Sequence, residues 1–188
     1  MYLKRLTLFN FKNYSEAEFN FSPGANALTG PNGSGKTNVL DAIHYLCLCK
    51  SYFNASDSHA VRHDASYFSI GGNFELNGKN EDILVLVKSG QKKSVKRNQK
   101  EYSRLGDHVG LLPVVMEAPV DQELITGGSE ERRKLIDSII CQYNHAYLDD
   151  LVSYNRLLQQ RNALLKQAAR GGYSDPALWQ VWDEQLSA

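Results

Sequence analysis

Cysteine is scarce in this chain: Cys47, Cys49 and Cys141 are the whole complement in 188 residues. An odd number at those spacings makes neither a complete disulfide framework nor a metal-ligand pattern. With no signal-peptide-like start, it argues for reduced thiols in a cytoplasmic protein. Small buried hydrophobes are the expected role of all three. No apolar run approaches the 18 or so residues that a bilayer crossing needs, so no membrane partner is expected. An excess of charge is lacking too, because 21 Lys and Arg stand against 21 Asp and Glu. Bulk charge therefore does not announce a nucleic-acid binder, and any DNA contact must come from local clustering. The one dense basic cluster is Lys92, Lys93, Lys96, Arg97 and Lys100, which reads as a solvated hairpin or as a contact to a phosphate backbone. The histidines are scattered, and His63 beside Arg62 reads as a local hydrogen-bonding residue rather than a metal ligand.

Against these absences, one motif stands out. Gly30-Pro31-Asn32-Gly33-Ser34-Gly35-Lys36-Thr37 spells G-x-x-x-x-G-K-[ST], the phosphate-binding loop of nucleotide hydrolases. Its glycines let the backbone turn so that several N–H groups face phosphate oxygens. Lys36 supplies a point charge to the terminal phosphates, and the Thr37 hydroxyl is the expected Mg²⁺ ligand. The four fixed positions arise by chance in roughly one chain in a hundred of this size, and the flanks reduce that further. Residues 26–29 read as a strand end after the turn Ser22-Pro23-Gly24. From Thr37 to Leu48, the residues Val39, Leu40, Ile43, Leu46 and Cys47 share one helical face. The loop is thus expected preformed between a strand and a helix N-terminus, where the helix dipole favours anions.

The remainder of the first half reads as strands. Residues 2–11 carry apolar side chains on both faces, which suggests a largely buried strand, and Phe19 and Phe21 mark a second. Residues 67–76, 83–88 and 93–97 form a series separated by the hairpin signals Asn77-Gly78 and Ser89-Gly90. Residues 111–116 read as one more apolar strand. Beyond Gly127-Gly128 the strand signal ends. Leu135, Ile136, Ile139, Ile140 and Tyr143 recur at helical spacing after a Ser129 cap, with Glu130 and Glu131 in the first turn. A second helical stretch spaces Tyr147, Leu151, Tyr154, Leu158, Arg161 and Leu165 like a short coiled-coil seam, either packed on its own domain or forming an antiparallel arm. Residues 171–176 break it, and 177–188 begin another helix.

Hydrolysis also needs a carboxylate at the end of a buried strand to anchor Mg²⁺. Glu117, Asp137 and Asp149 are the tempting candidates, and Ile125-Thr126-Gly127-Gly128-Ser129 has the look of the L-S-G-G-Q signature of ABC ATPases. Asp149, however, follows only three apolar residues after Asn144-His145, with helical periodicity on both sides, and Asp137 lies mid-helix on the same argument. Glu117 remains a minor candidate. A compact, complete ATPase is therefore not the favoured reading.

The residues closely resemble the RecF family, bacterial recombination-repair ATPases whose nucleotide-binding head is akin to those of ABC and SMC proteins. Residues 6–14 look like the opening strand and basic-Asn turn of such heads, and Gly33 to Ile43, including Asn38, like their loop and helix. Gly127-Gly128-Ser129-Glu130-Glu131-Arg132-Arg133-Lys134-Leu135-Ile136-Asp137 is similar to the G-G-P-x-x-R-R-x-[FY]-L-D motif of the family, with Ser129 in place of the usual proline. The resemblance implies an α/β ABC/SMC-type P-loop ATPase head, a mixed sheet around the loop helix plus antiparallel strands. Residues 1–127 would be the N-terminal part of that head and 128–188 a helical arm or lobe. Lys12 and Asn13 would approach the nucleotide beside the loop. Implied too are ATP and Mg²⁺, and ATP-dependent dimerisation on single-stranded, gapped or junction DNA. The setting would be recombinational repair, replication restart and SOS induction, with RecO, RecR and RecA as partners. Family members carry their L-S-x-G-Q segment and acidic strand further along, so the chain is expected to be the N-terminal part of a longer, weakly DNA-dependent ATPase and to turn over no ATP alone. Two rivals stay open at this level. Another SMC-like head would continue the helical segment as a long heptad coil. A small P-loop kinase or GTPase would need an arginine-rich lid or an N-K-x-D segment, neither of which is visible.

Overall fold

A computed structural model describes residues 1–54 and 56–169. Contacts divide the chain into two compact units, Met1–Gly127 and Gly128–Ala188. The first is built on six strands in the order β2-β1-β3-β4-β5-β6, every neighbouring pair antiparallel. These are β1 (Tyr2–Phe11), β2 (Tyr14–Asn20), β3 (Tyr67–Leu76), β4 (Lys79–Lys88), β5 (Ser94–Arg97) and β6 (Lys100–Glu101). The expected hairpin signals act as such. Asn77 and Gly78 both take positive φ in the two-residue turn between β3 and β4, as that turn requires, and Gly90 takes positive φ in the longer β4–β5 connection.

One face of the sheet buries Leu6, Leu8, Phe68, Ile70, Phe74, Ile83, Val85, Val87 and Val95 in a common core with Val39, Ala42, Tyr45 and Leu46 of α1 (Lys36–Leu48). Phe11 closes the end of this core, edge-on to Phe68 at 5.3 Å. The helix approaches the sheet closely at Gly72, where a Cβ would stand 2.6 Å from Leu46 Cδ1 and 2.7 Å from Phe74 Cε2, so a larger residue would have to move those buried side chains. β1 departs from the expectation of burial on both faces: Leu6 and Leu8 are buried while Arg5, Thr7 and Phe9 face solvent. The reason is that helix covers only one side of an antiparallel sheet. Leu40, expected on the inner face of α1, is 45% exposed, and the inward positions go to Asp41 and Tyr45.

Two expected strands are absent among the described residues. Residues 26–29 and 111–116 are irregular and pair with no strand, and an apolar run without a ladder partner has no sheet to join. Leu112 nonetheless enters the core, whereas Val115 is 85% exposed. The unit ends through a 3-10 turn at Pro119–Gln122 and the single-turn helix α2 (Glu123–Thr126).

The second unit comprises α3 (Ser129–Ile140) and α4 (His145–Ala169). Ser129 is the first helical residue rather than the cap; Gly128 takes the cap position and no side chain caps the end. Lys134 pairs with Glu130 at 2.9 Å and Glu131 at 3.0 Å, the i,i+4 and i,i+3 geometry of one helical face. Asn144 opens α4 by accepting a hydrogen bond from the Tyr147 N–H at 3.1 Å, a side-chain cap that makes the following residues helical. Asp149 is therefore exposed on a helix and Asp137 lies within α3, as their periodicity indicated. The break at 171–176 and the helix at 177–188 lie outside the described residues.

Candidate nucleotide-binding site

The loop Gly30–Gly35 leads directly into α1, with Lys36 and Thr37 as its first two residues. Gly30, Gly33 and Gly35 have φ of +147°, +80° and +100°, a region that side-chain-bearing residues avoid, so glycine spacing sets the turn. Within it, the Ser34 N–H donates to the Pro31 carbonyl at 3.3 Å. The Lys36 ammonium folds back across the loop, donating to the carbonyls of Gly30 at 2.9 Å and Pro31 at 2.8 Å. Two carbonyl dipoles thus hold a cation at the mouth of a helix N-terminus, where an anionic group would exchange for them. Thr37 is exposed in the first turn.

The turn between β1 and β2 rests on this loop. Asn13 Nδ2 donates to the Ser34 carbonyl at 3.4 Å and the Tyr14 hydroxyl to the same oxygen at 3.3 Å, while Asn38 Nδ2 of α1 donates to Asn13 Oδ1 at 2.7 Å. Gly35 is pressed beneath them: a Cβ there would lie 2.6 Å from Asn13 Nδ2 and 2.7 Å from the Tyr14 hydroxyl. Of the two turn residues singled out from sequence, Asn13 touches the loop. Lys12 does not; its ammonium pairs with Asp41 at 2.6 Å and lies 5.4 Å from the centre of the Phe53 ring.

Sequence reasoning missed Tyr14 and Asp41. The signal for Asp41 was present, since a carboxylate one turn beyond Thr37 on an otherwise apolar helix face requires a partner. Glu117 does not end a strand; it is exposed in irregular chain. Among the described residues, no group of three or more His, Cys, Asp or Glu could hold a metal ion.

Two of the five basic residues of the hairpin are engaged within the fold. Lys93 pairs with Asp57 at 2.7 Å and donates to the Tyr45 hydroxyl and the Cys49 carbonyl. Arg97 grips Glu81 with two hydrogen bonds of 2.8 and 2.7 Å, which hold the Glu81 carboxyl down at about 2 and raise the guanidinium in turn. Burial pushes the Cys47 thiol up to about 12 and the Cys49 thiol to about 11, in keeping with inert packing residues. Two shallow concavities of about 480 and 550 Å³ lie on the solvent face of the sheet around Thr7 and Gly71. Neither adjoins the phosphate loop, which works by an open row of backbone N–H groups rather than by enclosure.

A glycine-shaped loop feeding a helix, packed on an antiparallel sheet, defines a P-loop ATPase fold. A model of the AAA domain family matches residues 5–180, and the chain belongs to that family. More particularly, it is similar along its whole length to RecF. It is 48% identical over 189 residues to the DNA replication and repair protein RecF of Phocaeicola vulgatus, covering 100% of this chain and 50% of that protein. A solved structure of the recombination mediator protein RecF with ATP superposes with a TM-score of 0.87 at 32% identity, over 98% of this chain and 50% of that one. An SMC ATPase head covers 74% of the chain with a TM-score of 0.59 at 24% identity, a likeness of fold. The chain spans about half the length of the curated relatives it matches, corresponding to their N-terminal half. No described helix is long and apolar enough to cross a membrane.

Proposed function

We propose that this chain is the Mg²⁺-ATP-binding part of a RecF-type DNA replication and repair protein. The observation that carries the reading is the Lys36 ammonium, held by the Gly30 and Pro31 carbonyls at the start of α1. On this reading residues Gly30, Pro31, Asn32, Gly33, Ser34, Gly35, Lys36, Thr37 and Asn38 wrap the phosphates. Lys36 leaves its carbonyls for the terminal phosphates and Thr37 ligates Mg²⁺. Asn13 borders the nucleotide on the turn side, with Lys12 behind it. The intact protein dimerises through bound ATP on single-stranded, gapped or junction DNA, hydrolyses ATP weakly in response to that DNA, and acts in the cytoplasm with RecO, RecR and RecA in recombinational repair, replication restart and SOS induction. The N-terminal half of RecF, to which the whole chain aligns, supports this role.

The test is titration of the intact protein with a fluorescent ATP analogue and Mg²⁺, beside Lys36→Ala. The variant is expected to lose about tenfold or more in affinity, the equivalent of roughly 1.4 kcal/mol, with its thermal midpoint unchanged, because Lys36 touches loop carbonyls and not the core. A midpoint that collapses together with binding would make Lys36 a structural residue and remove the main support for the reading. Nucleotide-dependent sedimentation with gapped DNA and with RecR tests the wider role.

A further inference from the structure

Asp41 is fully buried in α1, where an ionised carboxylate is costly unless its oxygens are matched. Three partners from two distant segments match it: Lys12 Nζ at 2.6 Å, the Ser51 hydroxyl at 2.8 Å and the Tyr52 N–H at 2.7 Å. Ser51 in turn accepts from the N–H groups of Phe53 and Asn54, at 3.2 and 3.1 Å, so the carboxylate organises the whole segment after α1. None of these groups lies in the loop itself.

The connection to the loop runs through the turn. Lys12 has φ of +51°, a left-handed conformation that costs a side-chain-bearing residue energy and persists only where partners enforce it. Here the enforcing partners are Asp41 on the side chain and the Ala60 carbonyl, which accepts from the Lys12 N–H at 2.8 Å. With Lys12 pinned, the next residue is delivered to the other side: Asn13 reaches the Ser34 carbonyl and receives Asn38. Asn38 and Asp41 are three apart on one helix, hence neighbours on one face, and they grip two successive residues of the same turn.

We propose that Asp41 is a positioning residue for nucleotide binding. Acting through Lys12, it fixes the β1–β2 turn so that Asn13, held from behind by Asn38, donates to the Ser34 carbonyl and keeps the phosphate loop in its receptive shape. The inference rests on the reading of the loop as a nucleotide site, and the experiment separates the two. A double-mutant cycle of Asp41→Asn and Asn13→Ala in the intact protein is read by the affinity for a fluorescent ATP analogue with Mg²⁺, beside Lys36→Ala. Asn at position 41 keeps an acceptor for the Tyr52 N–H and a partner for Ser51 while losing the lysine. Asp41→Asn is expected to weaken binding about tenfold, the scale seen when a group that orients a ligand-contacting residue is lost. In the Asn13→Ala background the same change should cost less than about twofold, because the route it acts through is already gone. A purely structural role would lower stability and weaken binding equally in both backgrounds, and that result, or wild-type affinity for Asp41→Asn, overturns the proposal. Lys36→Ala with undiminished binding would overturn the reading of the loop, and this proposal with it. Should Asp41→Asn not fold, Lys12→Met breaks the same pair from its outer end and carries the same cycle.

Discussion

Gly35 is the position at which the loop and its surroundings tolerate least, and Gly35→Ala makes that quantitative. Two costs add. The backbone at Gly35 has φ +100° and ψ 8°, outside the range of L side chains, and holding an alanine there costs roughly 1–2 kcal/mol. The new Cβ would also stand 2.6 to 2.8 Å from Asn13 Nδ2, Asn13 Oδ1 and the Tyr14 hydroxyl. Ordinary contact is about 3.5 Å, so those groups must retreat by about 1 Å. Their hydrogen bonds to the Ser34 carbonyl, already 3.4 and 3.3 Å long, do not survive such a shift, and each is worth about 0.5–1.5 kcal/mol. The total is about 2–5 kcal/mol. Gly33→Ala is the control: φ is +80° there, but a Cβ would meet nothing within 4 Å, leaving the backbone cost of about 1–2 kcal/mol alone. Urea denaturation of both variants measures the difference, and repeating Gly35→Ala in an Asn13→Ala, Tyr14→Phe background should return its penalty toward that of Gly33→Ala. Equal penalties for Gly33→Ala and Gly35→Ala would refute the packing of the turn on the loop.

Two further outcomes are expected. The Glu81 carboxyl, gripped by Arg97, is held at about 2 against an ordinary value of 4.5, so its contribution is complete above about 4.5 and fades as pH falls toward 2. The urea midpoints of wild type and Glu81→Gln should therefore differ at pH 7 and converge near pH 2, and a gap independent of pH would remove the ion pair as its cause. The 188-residue chain alone with Mg²⁺ and ATP is expected to show no turnover above background, because its described residues bring no strand-end carboxylate to the loop, with Asp137 and Asp149 in helices and Glu117 in irregular chain. Turnover abolished by Asp149→Asn or Glu117→Gln would make one of these acids the metal anchor.

What could be read from the residues follows how local the determining physics is. The phosphate loop, its junction with α1 and the β3–β4 hairpin depend on glycine and asparagine at fixed spacings, and those spacings are in the sequence. The end of β3 at residue 76 is likewise local, set by the Asn77-Gly78 hairpin signal that follows it. Where the determinant is a distant partner, the same reasoning failed. Residues 26–29 and 111–116 have the apolar composition of strands, but a strand exists only with a neighbour to accept its hydrogen bonds, and composition says nothing of the neighbour. β4 shows the converse: its first residues, Lys79 to Asp82, are polar and lie outside the expected strand 83–88, yet they pair along β3, where Arg97 neutralises the buried Glu81 and Asn98 donates it a further hydrogen bond.

Asp41 is the sharpest instance. Its partners lie at positions 12, 51 and 52, so no window along the chain contains the constellation, and helical periodicity assigned the inner face to Leu40 instead. A buried carboxylate needs its cation more than a leucine needs its core, since an unpaired buried charge costs several kcal/mol and an exposed leucine side chain forfeits only about 1.5–3. That inequality turns α1 so that Asp41 points in and Leu40 points out, and the rotation brings Asn38 onto Asn13. The orientation of the phosphate-loop helix is thus set as much by one ion pair with the β1–β2 turn as by its apolar residues.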